Sequence, residues 1–322
     1  MISLLILAYN EELRIIDVIK KYEKLFSEII VINDCSKDST KELISNYIES
    51  RNSKNKIVLI DNKKNVGAGK SFQMGVDYFL KTKNQFLVKI DGDGQFFEPD
   101  IRTIINLIER DSVDYIKGDR FWEDGVTGDI PTIRYVGNTL ASLMIKLSTG
   151  NWKMNDPLNG LVAFSAAALK NLNIPKLFFR YGYPFYLCVN TSKLSYTENL
   201  QTIQIKNTVI YDDEQSNLKP SIMFFKLTFY TIFSYFSKIK LKFKNSKLQM
   251  SALLDILFTV LFGLFIYSFS TFLRVRYFLF SGDEANWFVV TIIFLVISFV
   301  VFISSQKSEN LLHSEKFKDY VQ

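Results

Sequence analysis

Strand-length apolar runs alternating with helix-like stretches fill the first 120 residues and leave few ways for this chain to fold. Four runs are strong: ISLLILA (2–8), IIVIND (29–34), KIVLID (56–61) and QFLVKID (85–91). A fifth, VDYIKG (113–118), is weaker. The stretches between them predict helices near 11–25, 38–50, 69–81 and 98–109. Ser36 and Asp38 are placed to open the second helix, and Pro99 suits the first turn of the last. Such alternation implies an α/β chain: a mostly parallel sheet with helices on both faces. Ligands of these sheets bind beyond the carboxyl ends of the strands, and Tyr9 to Glu11, Asp34, Asp61 and Asp91 all fall there. The short apolar run at the N-terminus has no basic region or small-residue cleavage site, so it reads as a first strand and not a leader.

After residue 219 the composition changes. IMFFKLTFYTIFSYF (222–236) is aromatic but interrupted by Lys226, and predicts a helix lying among lipid headgroups. ALLDILFTVLFGLFIYSFSTFL (252–273) carries one acid, Asp255; WFVVTIIFLVISFVVFIS (287–304) carries no charge. Both are long enough to cross a bilayer, and together they make a hairpin with both termini on one side. The expected division is therefore 1–219 as the α/β catalytic domain, 220–250 as an interfacial basic segment, 251–305 as the transmembrane hairpin and 306–322 as a polar tail. The net charge of +6 has a local origin, because many lysines sit in KIKLKFKNSK (238–247). That placement suits an anionic membrane surface and gives no reason to expect a nucleic-acid partner. Five lysines before the first span, against Arg274 and Arg276 between the spans, put the N-terminal domain and the tail in the cytosol.

With Cys35 and Cys188 the only cysteines, there is no disulfide framework. The single histidine, His313, lies in the expected tail, so histidine-based acid, base or metal chemistry is largely excluded.

In IDGDGQ two carboxylates at i and i+2 alternate with glycines, and repulsion between them is relieved if they share a cation. Oxygen donors from Asp91, Asp93 and Gln95 suit Mg²⁺ or Mn²⁺, which also bind substrate phosphates. An EF-hand starting at Asp91 would need a glutamate where Arg102 stands. NVGAGKS (65–71) resembles a P-loop but has Lys64 in place of the required first glycine, and its glycine spacing also misses the dinucleotide fingerprint. What remains is a glycine turn opening a helix, able to bring N–H dipoles near an anion.

The ordered set LILAYNEE, VINDCSKDST, NVGAGKSFQMGV, IDGDGQFFEPD, KGDRF, IRYVGN, NDPLNGLVAF and, more weakly, YDDEQSNLK resembles the family 2 glycosyltransferases of the GT-A fold. It is most similar to the branch that acts on polyprenyl phosphates, including the dolichol-phosphate mannose synthases and bacterial polyprenyl-phosphate glucosyltransferases. The resemblance covers about residues 2–219 and implies a role for each matching position. Ala8, Tyr9, Glu11, Asp34, Gly67, Asp91 and Gly92 would surround a nucleotide-sugar donor. Asp91 and Asp93, with Gln95 as a third candidate, would hold the metal. Arg120 and Arg134 would receive phosphate charge, and Asp156 would lie beside the reacting sugar. The chain departs from the family at Ala68, where a basic residue is common, at GLV (160–162), where Gly-Phe-Arg is usual, and at YPFYL (183–187), which lacks a glutamate. The signature of processive synthases is absent.

The expected reaction is inverting transfer of a sugar to a polyprenyl phosphate, undecaprenyl or dolichyl, presented at the cytosolic face of a membrane. The bacterial cytoplasmic membrane is the expected setting in preference to the endoplasmic reticulum. A phosphate acceptor is already ionised and needs no base, whereas a hydroxyl on a lipid-linked saccharide or glycolipid would need one, with Asp156 the best candidate. A non-catalytic membrane scaffold is the remaining alternative, and the hairpin could pair with further copies of the chain.

Overall fold

Within the first strand, successive side chains serve opposite cores. The computed structural model describes residues 1–51, 55–110, 113–122, 126–127, 132–210, 220–279 and 283–320. In β1 (Ile2–Ala8), Leu4, Ile6 and Ala8 pack with Ile15, Ile19 and Ile104 on one face, while Leu5 and Leu7 pack with Phe72, Val76 and Phe79 on the other. A strand buried on both faces is the expected form of a parallel sheet covered by helices.

The expected alternation is observed: β1, α1 (Ile15–Tyr22), β2 (Glu28–Asn33), α2 (Thr40–Ser50), β3 (Lys56–Asp61), α3 (Ala68–Phe79), β4 (Phe86–Asp91), α4 (Glu98–Arg110) and β5 (Tyr115–Asp119). Pro99 occupies the first turn of α4, where a missing N–H costs nothing. Asp38 accepts from the Thr40 N–H at 3.1 Å and Thr40 hydroxyl at 2.6 Å, bracing the start of α2. There follow β6 (Val126–Thr127), α5 (Thr132–Thr149), β7 (Val162–Ser165), α6 (Ala166–Leu169), α7 (Tyr183–Leu194), β8 (Thr202–Lys206) and β9 (Val209–Ile210). Three long elements come next, α8 (Pro220–Lys244), α9 (Gln249–Arg274) and α10 (Glu284–Lys316), and last β10 (Phe317–Tyr320). The main sheet has eight strands in the order β10-β8-β5-β7-β4-β1-β2-β3, and only β7 runs antiparallel to its neighbours. β6 and β9 form a separate pair.

The C-terminal third departs from the expected layout in three ways. Residues 306–316 are not a loose tail; they extend α10, and β10 then adds a parallel strand beside β8. His313 is buried, with its ring nitrogens 3.4 Å from the Ser195 hydroxyl and 3.3 Å from the Thr149 carbonyl. The lysine run is only partly a surface feature. Lys240, Lys244 and Lys247 are exposed, but Lys238 and Lys242 are wholly buried against Asp255 of α9 and Glu309 of α10. Helical spacing of four residues puts both lysines on the face of α8 that meets the protein. The backbone at Gly150 has φ +69°, and a Cβ there would overlap the Glu309 carboxylate.

α9 and α10 belong to two helical stretches, 246–277 and 284–316, that are long and apolar enough to cross a membrane. Leu253, Val260, Ile266, Val289, Val296 and Val300 are among their many exposed apolar side chains, far more than an aqueous surface tolerates. α8 likewise exposes Phe225, Phe229 and Phe233. YDDEQSNLK (211–219) and most of EDGVTGDIP (123–131) lie outside the described residues.

Candidate active site

The carboxyl ends of β1, β2 and β4 open into a cavity of about 640 Å³. Ala8, Tyr9, Glu11, Asp34, Gly67, Asp91 and Asp93 line it, together with Lys37, Asn65, Ala68, Ser71, Arg180 and Tyr181.

Two expected motifs form one interlocked wall. The Asn10 N–H donates to Ser36, the Glu11 N–H to Thr40 and the Glu12 N–H to Asp38, at 2.9, 2.8 and 3.1 Å. In return the Lys37 N–H donates to Asn10 and the Ser39 N–H to Glu12, at 2.8 and 2.9 Å. AYNEE and DCSKDST thus satisfy each other's backbone groups, a physical reason for the two to occur together.

Asp34 lines the cavity, yet its carboxylate is already occupied. It accepts from the Val66 and Gly67 N–H groups, both at 2.8 Å, and from the Asn62 amide at 2.9 Å. Its work is to pin the glycine turn that opens α3. Gly67 has φ +91°, and a Cβ on it would come within 2.6 Å of the Phe179 carbonyl oxygen.

Asp91 ends β4 and Asp93 follows on a turn whose Gly94 has φ +74°. The Gly92 N–H donates to the Leu7 carbonyl at 2.9 Å, and a Cβ at Gly92 would press on that oxygen. Arg14 donates to the Asp93 carbonyl at 3.0 Å, and Asp93 Oδ1 accepts from the Gln95 N–H at 3.0 Å. Gln95 is not among the residues lining the cavity. Behind Asp91 sits Lys89, almost fully buried, its Nζ 2.7 Å from Asp91 Oδ1. Burial opposes the Lys89 charge, but the Asp91 carboxylate and the Tyr183 oxygen outweigh it and hold the lysine pKa above its ordinary value. Burial pushes the Tyr183 hydroxyl up to about 12. Gly160 closes this corner, since a Cβ on it would lie 2.6 Å from Asp91 Oδ2 and 2.9 Å from Lys89 Nζ.

The donor chemistry here fits Mg²⁺ or Mn²⁺. Asp91 and Asp93 present hard oxygens to an open cavity, and among the described residues no group of three acids, histidines or cysteines is placed to hold an ion. Further ligands would come from water or a bound diphosphate, the usual habit of Mg²⁺.

Asp156 differs sharply from the expectation of a group beside the sugar. It is fully buried, outside the cavity lining, with φ 45°. Arg120 grips its carboxylate through the backbone N–H, Nε and Nη2 at 3.0, 2.8 and 2.7 Å, and Asn138 adds an amide at 2.8 Å. Lys117 donates to its carbonyl. Burial alone would raise its pKa, but the Arg120 charge dominates and holds it below the usual carboxylate value. KGDRF, IRYVGN and NDPLNG therefore converge on one buried ion pair, in which Asp156 is held as the counter-ion of Arg120. Arg120, committed to that pair, does not line the cavity. The side chain of Arg134, within α5, lies outside the described residues.

Sequence reasoning passed over Lys37, Lys89, Gly160, Arg180 and Tyr181. For Lys89 a signal existed: period-two geometry puts it on the same side of β4 as Asp91. For Arg180 only spatial proximity gives it away.

Comparison with known proteins agrees with this geometry. The sequence model described as Glycosyl transferase family 2 matches residues 3–171. An uncharacterised protein of Methanocaldococcus jannaschii is 32% identical over 44% of this chain and 59% of its own length, so the chain spans about six tenths of that relative. UDP-N-acetylglucosamine–dolichyl-phosphate N-acetylglucosaminyltransferase of Methanococcus voltae is 31% identical over 54% of this chain and 72% of its own. Dolichyl-phosphate β-glucosyltransferase of Dictyostelium discoideum is 32% identical over 37% and 39%. Among solved structures, glucosyl-3-phosphoglycerate synthase of Mycobacterium tuberculosis, crystallised with Mn²⁺ and UDP, has 17% identity and a TM-score of 0.52 over 74% of this chain and 79% of its own, a likeness of fold. Since the family match takes in the two interlocked loops, the glycine turn and the aspartate pair of the cavity, this chain belongs to the family 2 glycosyltransferases.

Proposed function

We propose that the chain transfers a sugar, with inversion, from a nucleoside-diphosphate sugar to a polyprenyl phosphate at the cytosolic face of a membrane. The observation that carries the phosphate acceptor is the sealed carboxylate of Asp156. With that group removed from the cavity, a hydroxyl acceptor loses its best base. A phosphate monoester, with a second pKa near 6, is mostly ionised at neutral pH and attacks without one. The relatives named for dolichyl-phosphate transfer support the same acceptor class.

Each wall of the cavity has a task in this reading. The turn pinned by Asp34 sets the amino end of α3 toward the donor, where its dipole favours phosphate. Asp91 and Asp93 would hold Mg²⁺ or Mn²⁺, whose contribution is neutralisation of charge developing on the leaving diphosphate, worth several kcal/mol. Lys89 and Gly160 fix the position of Asp91. Attack from the face opposite the leaving group gives inversion.

The topology supports this membrane placement. β8 and β10 are neighbours in one sheet yet flank the two apolar helices in sequence, so the hairpin must leave and return on one side. Lys240, Lys244 and Lys247 beside the first span, against Arg274 and Arg276 between the spans, favour the cytosol for that side.

The test is to offer radiolabelled sugar nucleotides, with Mg²⁺ or Mn²⁺, to the full chain in lipid nanodiscs containing polyprenyl phosphate. Label should enter a mild-acid-labile lipid phosphodiester with the anomeric configuration inverted. Transfer only to a saccharide hydroxyl would overturn the reading.

A further inference from the structure

The glycine turn of the cavity lacks the basic residue common at this point in the family, since Ala68 stands between Gly67 and Gly69. Lys70, the next cation in sequence, does not line the cavity; its ammonium sits 5.3 Å over the Phe179 ring. Four carboxylates line the space, of Glu11, Asp34, Asp91 and Asp93, against only Lys37 and Arg180 among the described residues. A nucleoside diphosphate entering with one divalent cation therefore meets a wall rich in negative charge, and needs positive charge placed on its phosphates.

Arg180 is built into the roof over that turn. The segment 178–180 lies so close that a Cβ at Gly67 would come 2.7 Å from both Cα and Cγ of Arg180, and a Cβ at Gly69 would overlap the Phe178 carbonyl. The Lys70 N–H donates to the Phe179 carbonyl at 3.0 Å, tying the roof to the first turn of α3. The guanidinium donates to Asn65 Oδ1 at 3.2 Å, while Asn65 Nδ2 donates to the Asp34 carbonyl at 3.2 Å. One edge of the guanidinium is thus fixed to the donor turn, and among the described residues no other hydrogen-bond partner takes its remaining N–H groups. Its planar fork of donors matches phosphate oxygens.

We infer that Arg180 binds the diphosphate of the donor from the roof, supplying the positive charge that Ala68 does not. The assignment rests on the glycosyltransferase reading and names a donor contact within it. The two glycines have a second use here: without side chains at 67 and 69 the roof can descend far enough for the arginine to reach the phosphates.

The experiment measures binding of UDP, GDP, ADP and dTDP to the full chain in detergent with Mn²⁺, by calorimetry, and compares Arg180→Gln with the parent. For whichever diphosphate binds the parent, Arg180→Gln should weaken binding about 10- to 100-fold, as expected for loss of a hydrogen bond to a charged group. Affinity for the corresponding nucleoside should not change. Adding Ala68→Arg to Arg180→Gln should recover most of the lost affinity, because the charge returns from the floor of the same cleft. Unchanged diphosphate binding in Arg180→Gln overturns the assignment, as does equal weakening of nucleoside and diphosphate, which marks a collapsed roof. A double variant no better than the single overturns the claim that both positions serve one phosphate. If the parent binds none of the four diphosphates, the donor reading itself falls.

Discussion

Two clusters of opposite charge, one at the carboxyl edge of the sheet and one where the hairpin meets it, use the same residue types for contrary ends. At the sheet edge Lys89 neutralises one oxygen of Asp91, and the pair Asp91 and Asp93 still faces an open cavity. At the hairpin, Lys238 and Lys242 meet Asp255 and Glu309 with all four side chains fully buried. Ser305 adds a hydrogen bond to Asp255 at 2.5 Å and Tyr196 one to Glu309 at 3.2 Å. Two cations and two anions cancel, and nothing is left over for a ligand. The excess of negative charge at the first site is what makes it a place for a cation and a diphosphate; the balance at the second makes it a joint.

The largest effect should come from the open cluster. Asp91→Asn with Asp93→Asn removes both carboxylates while keeping their size, and turnover should fall about 10³-fold or more, as loss of several kcal/mol of charge stabilisation requires. Thermal stability should fall as well, because Asp91→Asn takes the counter-charge from the buried Lys89, so turnover is compared per folded molecule. Retained turnover in this double variant would remove the distinction between the two clusters, since the acids at the cavity would then be as inert toward substrate as those at the joint.

Asp156 sharpens the contrast, because it looks like the first kind of acid in sequence and behaves like the second in space. Asp156→Asn leaves Arg120 without its counter-charge and should cost about 3 kcal/mol of stability at neutral pH, near the lower end for a broken buried pair. Its folded pKa is depressed by Arg120, so its stabilising contribution is present above the unfolded value of about 3.9 and vanishes as pH falls through the lower folded value. The stability gap between parent and variant should therefore be flat from pH 7 to about 5 and close only below about 4. A gap that closes on the alkaline side of 5 would show a raised pKa and return Asp156 to candidacy as a base.

What was legible in the sequence follows the same division. The first five strands and the acids at their ends came from local signals: strand-length apolar runs and carboxylates just after them. The interlocked loops and the aspartate turn are made of residues close in sequence to those strand ends. The joint was not legible, because Lys242 meets Glu309 across 67 positions and Asp255 across 13, and a lysine run near an apolar span reads as a surface patch. β10 escaped for a similar reason, since four residues at the end of a polar segment become a strand only when β8 offers an edge. The converse error befell Asp156: its motif announced an acid, but only the packing of Arg120 and Asn138 around it shows that the acid is enclosed.

The smallest effect is expected where the joint is changed as a pair. Glu309→Gln alone leaves Lys238 and Lys242 facing only Asp255, and should lower the melting temperature of the detergent-solubilised chain markedly. Lys242→Met with Glu309→Leu removes one cation and one anion together and fills their space with apolar groups. Buried ion pairs replaced in this way are often neutral or stabilising, because desolvation offsets most of their attraction. Lys238 and Asp255, 3.7 Å apart in the present structure, remain to balance each other. The double variant should therefore melt within a few degrees of the parent and turn over at the same rate per folded molecule, whereas no apolar pair placed at Asp91 and Asp93 could do so. A double variant that folds normally but loses turnover would mean that charge at the hairpin reaches the catalytic cavity, and that the joint takes part in the reaction it is here held to support.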